Sequence, residues 1–203
     1  MPFKKLHADI QEKLSDLDIT LPTPFQTKAI PVIKSGANVF CSGPTDIGKT
    51  TTLILTILHK LKCTAVGNAP RAIVLVKNKE KATELYDLFL KYTKHNSLRV
   101  YLSHEELHID LQKSEIFEGL DILISTPVTL NKLLLANGLS VSQLKIFSVD
   151  DAGFLTENAA YTALLSITRG IKKCQFVLYS EKLDPKLKRF ENSFMEYSKK
   201  IFV

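Results

Sequence analysis

Short apolar runs alternate with longer stretches of helical spacing along almost the whole chain. Runs of strand type fall at 37–41, 72–76, 98–102, 122–125, 146–149, 176–179 and 201–203. Between most of them, positions 51–61, 79–94, 130–136, 160–167 and 185–194 repeat apolar residues every three or four places, as a helix with one buried face requires. Two further helices, over 6–17 and 25–33, precede the first strand. Strands without polar alternation are covered on both faces, and strands interleaved with helices pair in parallel. The pattern therefore predicts an α/β fold with a mostly parallel central sheet of about seven strands and helices on both faces. Ligands on such sheets bind at the carboxyl ends of the strands.

The segment joining the first strand to its helix adds chemistry to that fold. Gly43-Pro44-Thr45-Asp46-Ile47-Gly48-Lys49-Thr50, continuing into Thr51, fits the phosphate-binding loop G-x-x-x-x-G-K-[ST] at every fixed position. A strand, a tight loop and a helix gather backbone N–H groups and a helix N-terminus around one point, a geometry that favours a polyphosphate. Lys49 is expected to reach the terminal phosphates, and the Thr50 hydroxyl to sit on a magnesium ion. Asp46 places a carboxylate where phosphate oxygens should lie. The run 146–149 ends in Asp150 and Asp151. Beside a phosphate loop, such a pair suits Asp150 to the metal and Asp151 to an attacking water.

Composition bounds the rest. The chain of 203 residues, 45% apolar, is long enough for one full core. Its formal net charge of +6 tilts toward a polyanionic partner. Cys41, Cys63 and Cys174 have no framework spacing and are expected as reduced thiols in a cytoplasmic protein. The first ten residues lack the apolar core of a signal peptide, and no run reaches membrane-spanning length.

Taken in order, these residues resemble the first RecA-like lobe of a DEAD-box RNA helicase, from Phe3 to Val203. Leu21-Pro22-Thr23-Pro24-Phe25-Gln26 is similar to the family's adenine-reading motif, with Gln26 on the base edge and Phe3 as aromatic partner. Asp150-Asp151-Ala152-Gly153 falls where the family has Asp-Glu-Ala-Asp. Ser125-Thr126-Pro127 resembles an RNA-backbone motif, and Ser180 falls where a Ser-Ala-Thr triplet couples nucleotide to RNA. Lys77, Lys79 and Lys81 stand in a further RNA-backbone motif, and Lys182, Lys186, Lys188 and Arg189 add a basic run. The resemblance implies a single lobe over 1–203, with adenine-reading helices over 1–35 and a phosphate-loop core over 36–203. ATP, magnesium, RNA bound through its backbone and a second RecA-like lobe in cis or in trans are the implied partners.

Departures from the family pattern are equally specific. Asp46 replaces a usual Gly, Asp151 a usual Glu, and Gly153 the last acid of the motif. The missing methylene at Asp151 shortens its reach by ~1 Å. An error of that size costs roughly 100-fold in rate. Glu181-Lys182 replace Ala-Thr after Ser180, Val128-Thr129 replace Gly-Arg after Thr-Pro, and a paired-glycine motif is missing after Leu102. The expectation is a degenerate lobe that hydrolyses ATP weakly and does not unwind RNA alone.

Two other readings compete. One is a non-catalytic helicase-like interaction module. The other is a zinc peptidase, because His104-Glu105-Glu106-Leu107-His108 fits H-E-x-x-H with both histidines on one helix face and Glu105 as base. Metzincin spacing would then need Gly and His where Leu111 and Ser114 stand.

Overall fold

The computed structural model describes residues 2–203. A seven-stranded sheet in the order β3-β4-β2-β5-β6-β1-β7 lies between two helical layers. The strands are β1 (Val39–Ser42), β2 (Ala72–Leu75), β3 (Val100–Ser103), β4 (Ile122–Ser125), β5 (Ile146–Val149), β6 (Gln175–Ser180) and β7 (Lys199–Phe202). Every neighbouring pair runs parallel. The helices are α1 (Ala8–Asp16), α2 (Pro24–Lys34), α3 (Lys49–Leu61), α4 (Lys79–Thr93), α5 (Ile109–Glu118), α6 (Pro127–Leu135), α7 (Asn158–Arg169) and α8 (Pro185–Lys188).

Alternation within each strand sorts the core into two faces. Val39, Cys41, Ala72, Val74, Val177 and Tyr179 meet Phe25, Leu53, Leu85 and Phe89 on the side of α1 to α4. Phe40, Ile73, Leu75, Phe147, Phe176 and Leu178 meet Ile116, Leu130, Leu164 and Phe190 on the side of α5 to α8. This is why the strands read as unbroken apolar runs: with period two, both sets of side chains enter a core. The expected strands are all present, with ends shifted by up to two residues. The expected helix over 185–194 is instead one turn, α8, followed by a 3-10 turn at Arg189–Asn192. Helix α5 was not foreseen; only Gln112 and Ile116 of it are buried, too few to set a helical period.

Phosphate-loop geometry fixes α3. Gly48 at its N-cap has φ 92, and a Cβ there would lie 2.7 Å from Gln26 Nε2, so only glycine fits. Most of α3 is buried, including Thr52 and Thr56. Their hydroxyls donate to the carbonyls of Gly48 (2.7 Å) and Thr52 (2.8 Å), which satisfies them inside the core.

At the opposite edge of the sheet a charge network closes the amino ends of β2, β3 and β4. Asp121 is fully buried and Arg71 nearly so. Oδ1 of Asp121 accepts from Arg71 Nη2 (2.6 Å) and from the Val66 N–H (3.0 Å), while Oδ2 accepts from Arg99 Nε (3.0 Å). Burial pushes the Asp121 carboxyl up, but its bonds to Arg99, Val66 and Arg71 outweigh this and hold it below its ordinary value. Its contribution to stability is therefore present at neutral pH and lost as the pH falls through that depressed value.

Breaking one partner leaves the other charge buried alone. Asp121→Ala is expected to lower unfolding free energy by about 3–5 kcal/mol. Urea titration with an unchanged slope checks it; a loss below about 1 kcal/mol would mean that Arg71 reaches water.

Candidate nucleotide site

Three strand ends converge on one cleft. The phosphate loop follows β1, Asp150 follows β5 and Ser180 ends β6, and the register pairs Ser42 with Ser180. The Ser42 and Ser180 hydroxyls are 3.2 Å apart, and the Gly43 N–H donates to the Ser180 carbonyl at 3.2 Å. Thr45, Asp46, Gly48, Lys49, Thr50 and Thr51 line the cleft, about 430 Å3 in volume, with Lys81, Asp150, Asp151 and Glu181 opposite. Four carboxylates thus face two ammonium groups.

Lys49 Nζ donates to the carbonyls of Gly43 (2.6 Å) and Pro44 (2.5 Å), so the lysine lies along the loop it is meant to serve. Thr50 Oγ1 stands 3.4 Å from both carboxylate oxygens of Asp150. Burial pushes the Asp150 carboxyl from 3.8 up to about 6, with Asp151 beside it adding to the rise and Thr50, Lys49 and Lys81 opposing it. At neutral pH it is an anion, and a hydroxyl with a carboxylate is an all-oxygen donor set of the kind magnesium takes. Asp46 and Asp151 both adopt left-handed backbone, at φ 61 and φ 50. Asp46 therefore occupies the conformation a glycine would, at the exposed lip of the cleft. Gly153 is not demanded by packing: a Cβ there meets only Asp151 Oδ1 at 3.8 Å.

The segment similar to the family's adenine-reading motif is tied to the loop. Thr23 and Gln26 form a capping box at the start of α2, the Thr23 N–H donating to Gln26 Oε1 at 3.0 Å. Thr23 Oγ1 donates to the Ile47 carbonyl at 2.7 Å, and Gln26 Nε2 to the Gly48 carbonyl at 3.5 Å. This clamp went unnoticed in the sequence, although T-x-x-Q is a capping signature. Phe3 is placed differently from expectation. It is buried in the core beside α1 and α2, not on the cleft wall.

The RNA candidates also separate. Lys77 is exposed, Lys79 pairs with Glu106, and Lys81 turns to the nucleotide cleft while bonding Glu84 at 2.7 Å. Lys81 at the third residue of α4 points back over the preceding turn, which is how it comes to face Asp150 and Asp151. Thr126 is buried, caps α6 and donates to Glu105 Oε1 at 2.5 Å; Pro127 is buried behind it.

The zinc-peptidase arrangement is absent. Residues 104–107 form a turn rather than a helix, and His108 has extended backbone (φ −61, ψ 132) at the N-cap of α5. The two imidazoles therefore share no helix face. Nδ1 of His104 accepts from the Glu106 N–H at 3.3 Å, and Glu105 is engaged by Thr126.

A parallel sheet with a phosphate-loop sequence after β1 and a carboxylate after β5 defines a RecA-like lobe. The chain belongs to the DEAD/DEAH box helicase family, whose sequence model matches residues 23–186. It is 27% identical over 194 residues to DEAD-box ATP-dependent RNA helicase 57 of Oryza sativa subsp. japonica, covering 94% of this chain and 35% of that protein. To ATP-dependent RNA helicase DeaD of Buchnera aphidicola it is 26% identical, covering 97% and 33%. The chain thus spans about a third of the length of the curated relatives it matches. A DEAD box protein from Methanococcus jannaschii superimposes with a TM-score of 0.88 at 18% identity, covering 98% of this chain and 54% of that one. No helix among the described residues is long and apolar enough to cross a membrane.

Asp150 gives a stability test with a defined sign. A carboxyl raised from 3.8 to about 6 disfavours the folded state as pH climbs through that window and the group ionises. Asp150→Asn is expected to raise stability at pH 7.5 by on the order of 1–3 kcal/mol. The gain should shrink to nothing near pH 4, as read by paired thermal melts; a gain independent of pH would refute the burial account.

Proposed function

We propose that this chain is the ATP-binding lobe of a DEAD-box RNA helicase, that it holds nucleotide weakly and RNA by its backbone, and that by itself it neither unwinds RNA nor turns ATP over at an ordinary rate. The observation that carries the reading is Thr50 facing Asp150 at 3.4 Å beside Lys49. Magnesium, when bound, would neutralise charge between phosphates and protein, with Thr50 and Asp150 as its holders.

The chain's own groups do the remaining work. Backbone N–H groups of the loop and the N-terminus of α3 meet the phosphates, and Lys49 exchanges the Gly43 and Pro44 carbonyls for phosphate oxygens. Gln26, buried with Oε1 on the Thr23 N–H and Nε2 on the Gly48 carbonyl, would have to turn outward to offer its donor and acceptor to the adenine edge, and Phe3 would have to leave the core to stack on it. Asp151 would orient the attacking water from a carboxylate set back by one methylene. Asp46 and Glu181 add negative charge where transfer needs positive. Ser180, tied to both Ser42 and Gly43, is suited to relay the state of the loop. On the RNA side Lys77 and Lys79 supply phosphate contacts, Thr126 and Pro127 shape the turn into α6, and Lys81 acts in the cleft instead. The three free thiols support a reducing, cytoplasmic setting.

Calorimetry with magnesium-ADP and magnesium-GDP tests nucleotide binding. Adenine should win, Lys49→Ala should abolish binding, and Asp46→Gly should tighten it by on the order of tenfold. Equal affinity for both nucleotides, or none up to millimolar concentration, would count against the proposal.

Hydrolysis and RNA binding have separate readouts. A second lobe in this family brings an arginine, and such an arginine is worth roughly 10³–10⁵ in rate. Asp151→Glu should therefore raise turnover only when a second lobe is supplied; ordinary turnover by the wild-type chain, abolished in Lys49→Ala, would show that Asp151 suffices. Neutralising Lys77 and Lys79 together should reduce the slope of log RNA affinity against log salt by about 2, whereas Lys81→Ala should weaken nucleotide binding and leave that slope alone. An unchanged slope in the double variant would move the RNA surface elsewhere.

A further inference from the structure

We propose that the chain carries a second metal site, for a thiophilic divalent cation of the zinc type, on His7, Asp9 and Cys63. His7 caps α1, Asp9 lies in its first turn, and Cys63 stands two residues beyond α3. Two elements far apart in sequence thus bring one nitrogen, one oxygen and one sulfur donor within 4.8 Å of one another. Among the described residues no other group of histidine, cysteine and acidic side chains converges in this way.

The distances are close to what a zinc ion needs. Nδ1 of His7 and Oδ1 of Asp9 are 3.2 Å apart. Tetrahedral bonds of about 2.0–2.3 Å separate neighbouring donors by roughly 3.3–3.8 Å. Closing the set around an ion therefore asks for movements of on the order of 1 Å, since no two of the three donors lie farther apart than 4.8 Å. His7 Nδ1 has Asp9 Oδ1 as its one polar neighbour, so a nitrogen and an oxygen donor already stand side by side within reach of the Cys63 sulfur. The His7 N–H donates to Nδ1 of His59 at 3.1 Å, fixing the backbone that carries the ligand. Cys63 is held in left-handed backbone at φ 52, with its N–H on the Leu58 carbonyl at 3.1 Å.

The donor chemistry separates this site from the phosphate cleft. Imidazole with thiol favours zinc, cobalt or copper, whereas the oxygen set at Thr50 and Asp150 favours magnesium. On binding, the Cys63 S–H bond breaks, its proton leaves to solvent and a sulfur–metal bond forms with no change of oxidation state. The ion's charge then offsets both the thiolate and the Asp9 carboxylate. Such an ion would bolt the segment before Gln26 to the far end of the helix that opens at the phosphate loop.

Cobalt titration of the untagged, metal-stripped chain tests this. One equivalent should bind with a thiolate-to-cobalt charge-transfer band and tetrahedral ligand-field intensity, and zinc should displace it. Zinc should also raise the melting temperature of the wild-type chain. Cys63→Ser should lose the band and the thermal shift, and Asp9→Asn and His7→Ala, at more exposed positions, should each weaken binding by tenfold or more. No thiolate band in the wild-type chain, or a band that survives in Cys63→Ser, would overturn the proposal. If Cys63→Ser does not fold, unchanged cobalt affinity in both His7→Ala and Asp9→Asn would overturn it as well. Nucleotide binding takes no part in these readouts, so failure here leaves the helicase reading untouched.

Discussion

The left-handed backbone at Gly48 governs the useful end of the molecule. It reverses the chain between β1 and α3, aims the first turn of a buried helix at the cleft, and leaves room for Gln26 only because no Cβ is present. Thr23 then locks the adenine side to the loop through the Ile47 carbonyl. The candidate base-reading and phosphate-binding segments are thereby one hydrogen-bonded unit rather than two neighbouring loops. A side chain at position 48 would disturb both at once.

Around that unit the electrostatics lean the wrong way for catalysis. Lys49 and Lys81 face Asp46, Asp150, Asp151 and Glu181, so a polyphosphate bound there would meet an excess of negative charge. Packing does not impose this. The backbone at 46 is a glycine conformation that Asp happens to tolerate, and the space at 153 would accept the acid that the family carries there. These differences from the family pattern sit on an undisturbed RecA-like fold, because a site is carried by residues that the fold itself does not require.

Strands were readable from residues alone because each is buried on both faces, so every position carries the signal. The phosphate loop was readable because its spacing is set by backbone geometry. Helix α5 was hidden, since Gln112 and Ile116 are its only buried residues, and the nearby H-E-x-x-H match suggested a helix over residues that form a turn, with His108 at the N-cap where α5 begins. The start of α4 at Lys79 was legible, but that Lys81 turns to the cleft while Lys79 pairs with Glu106 depends on what packs beside the helix, which a run of alternating lysines does not announce. Phe3 had an aromatic character that suited a base, but burial among α1 and α2 is a tertiary outcome that its neighbours in sequence do not announce.

The Arg71–Asp121–Arg99 network sits at the amino ends of β2, β3 and β4, across the sheet from the cleft. Cohesion and chemistry are thus assigned to opposite rims of one sheet. A lineage can lose or rewrite its loops at the carboxyl rim while the other rim keeps the strands in register. Divergence in such a lobe should accumulate as a gradient across the molecule, steepest at the rim that carries the loops and shallow where two arginines share one acid.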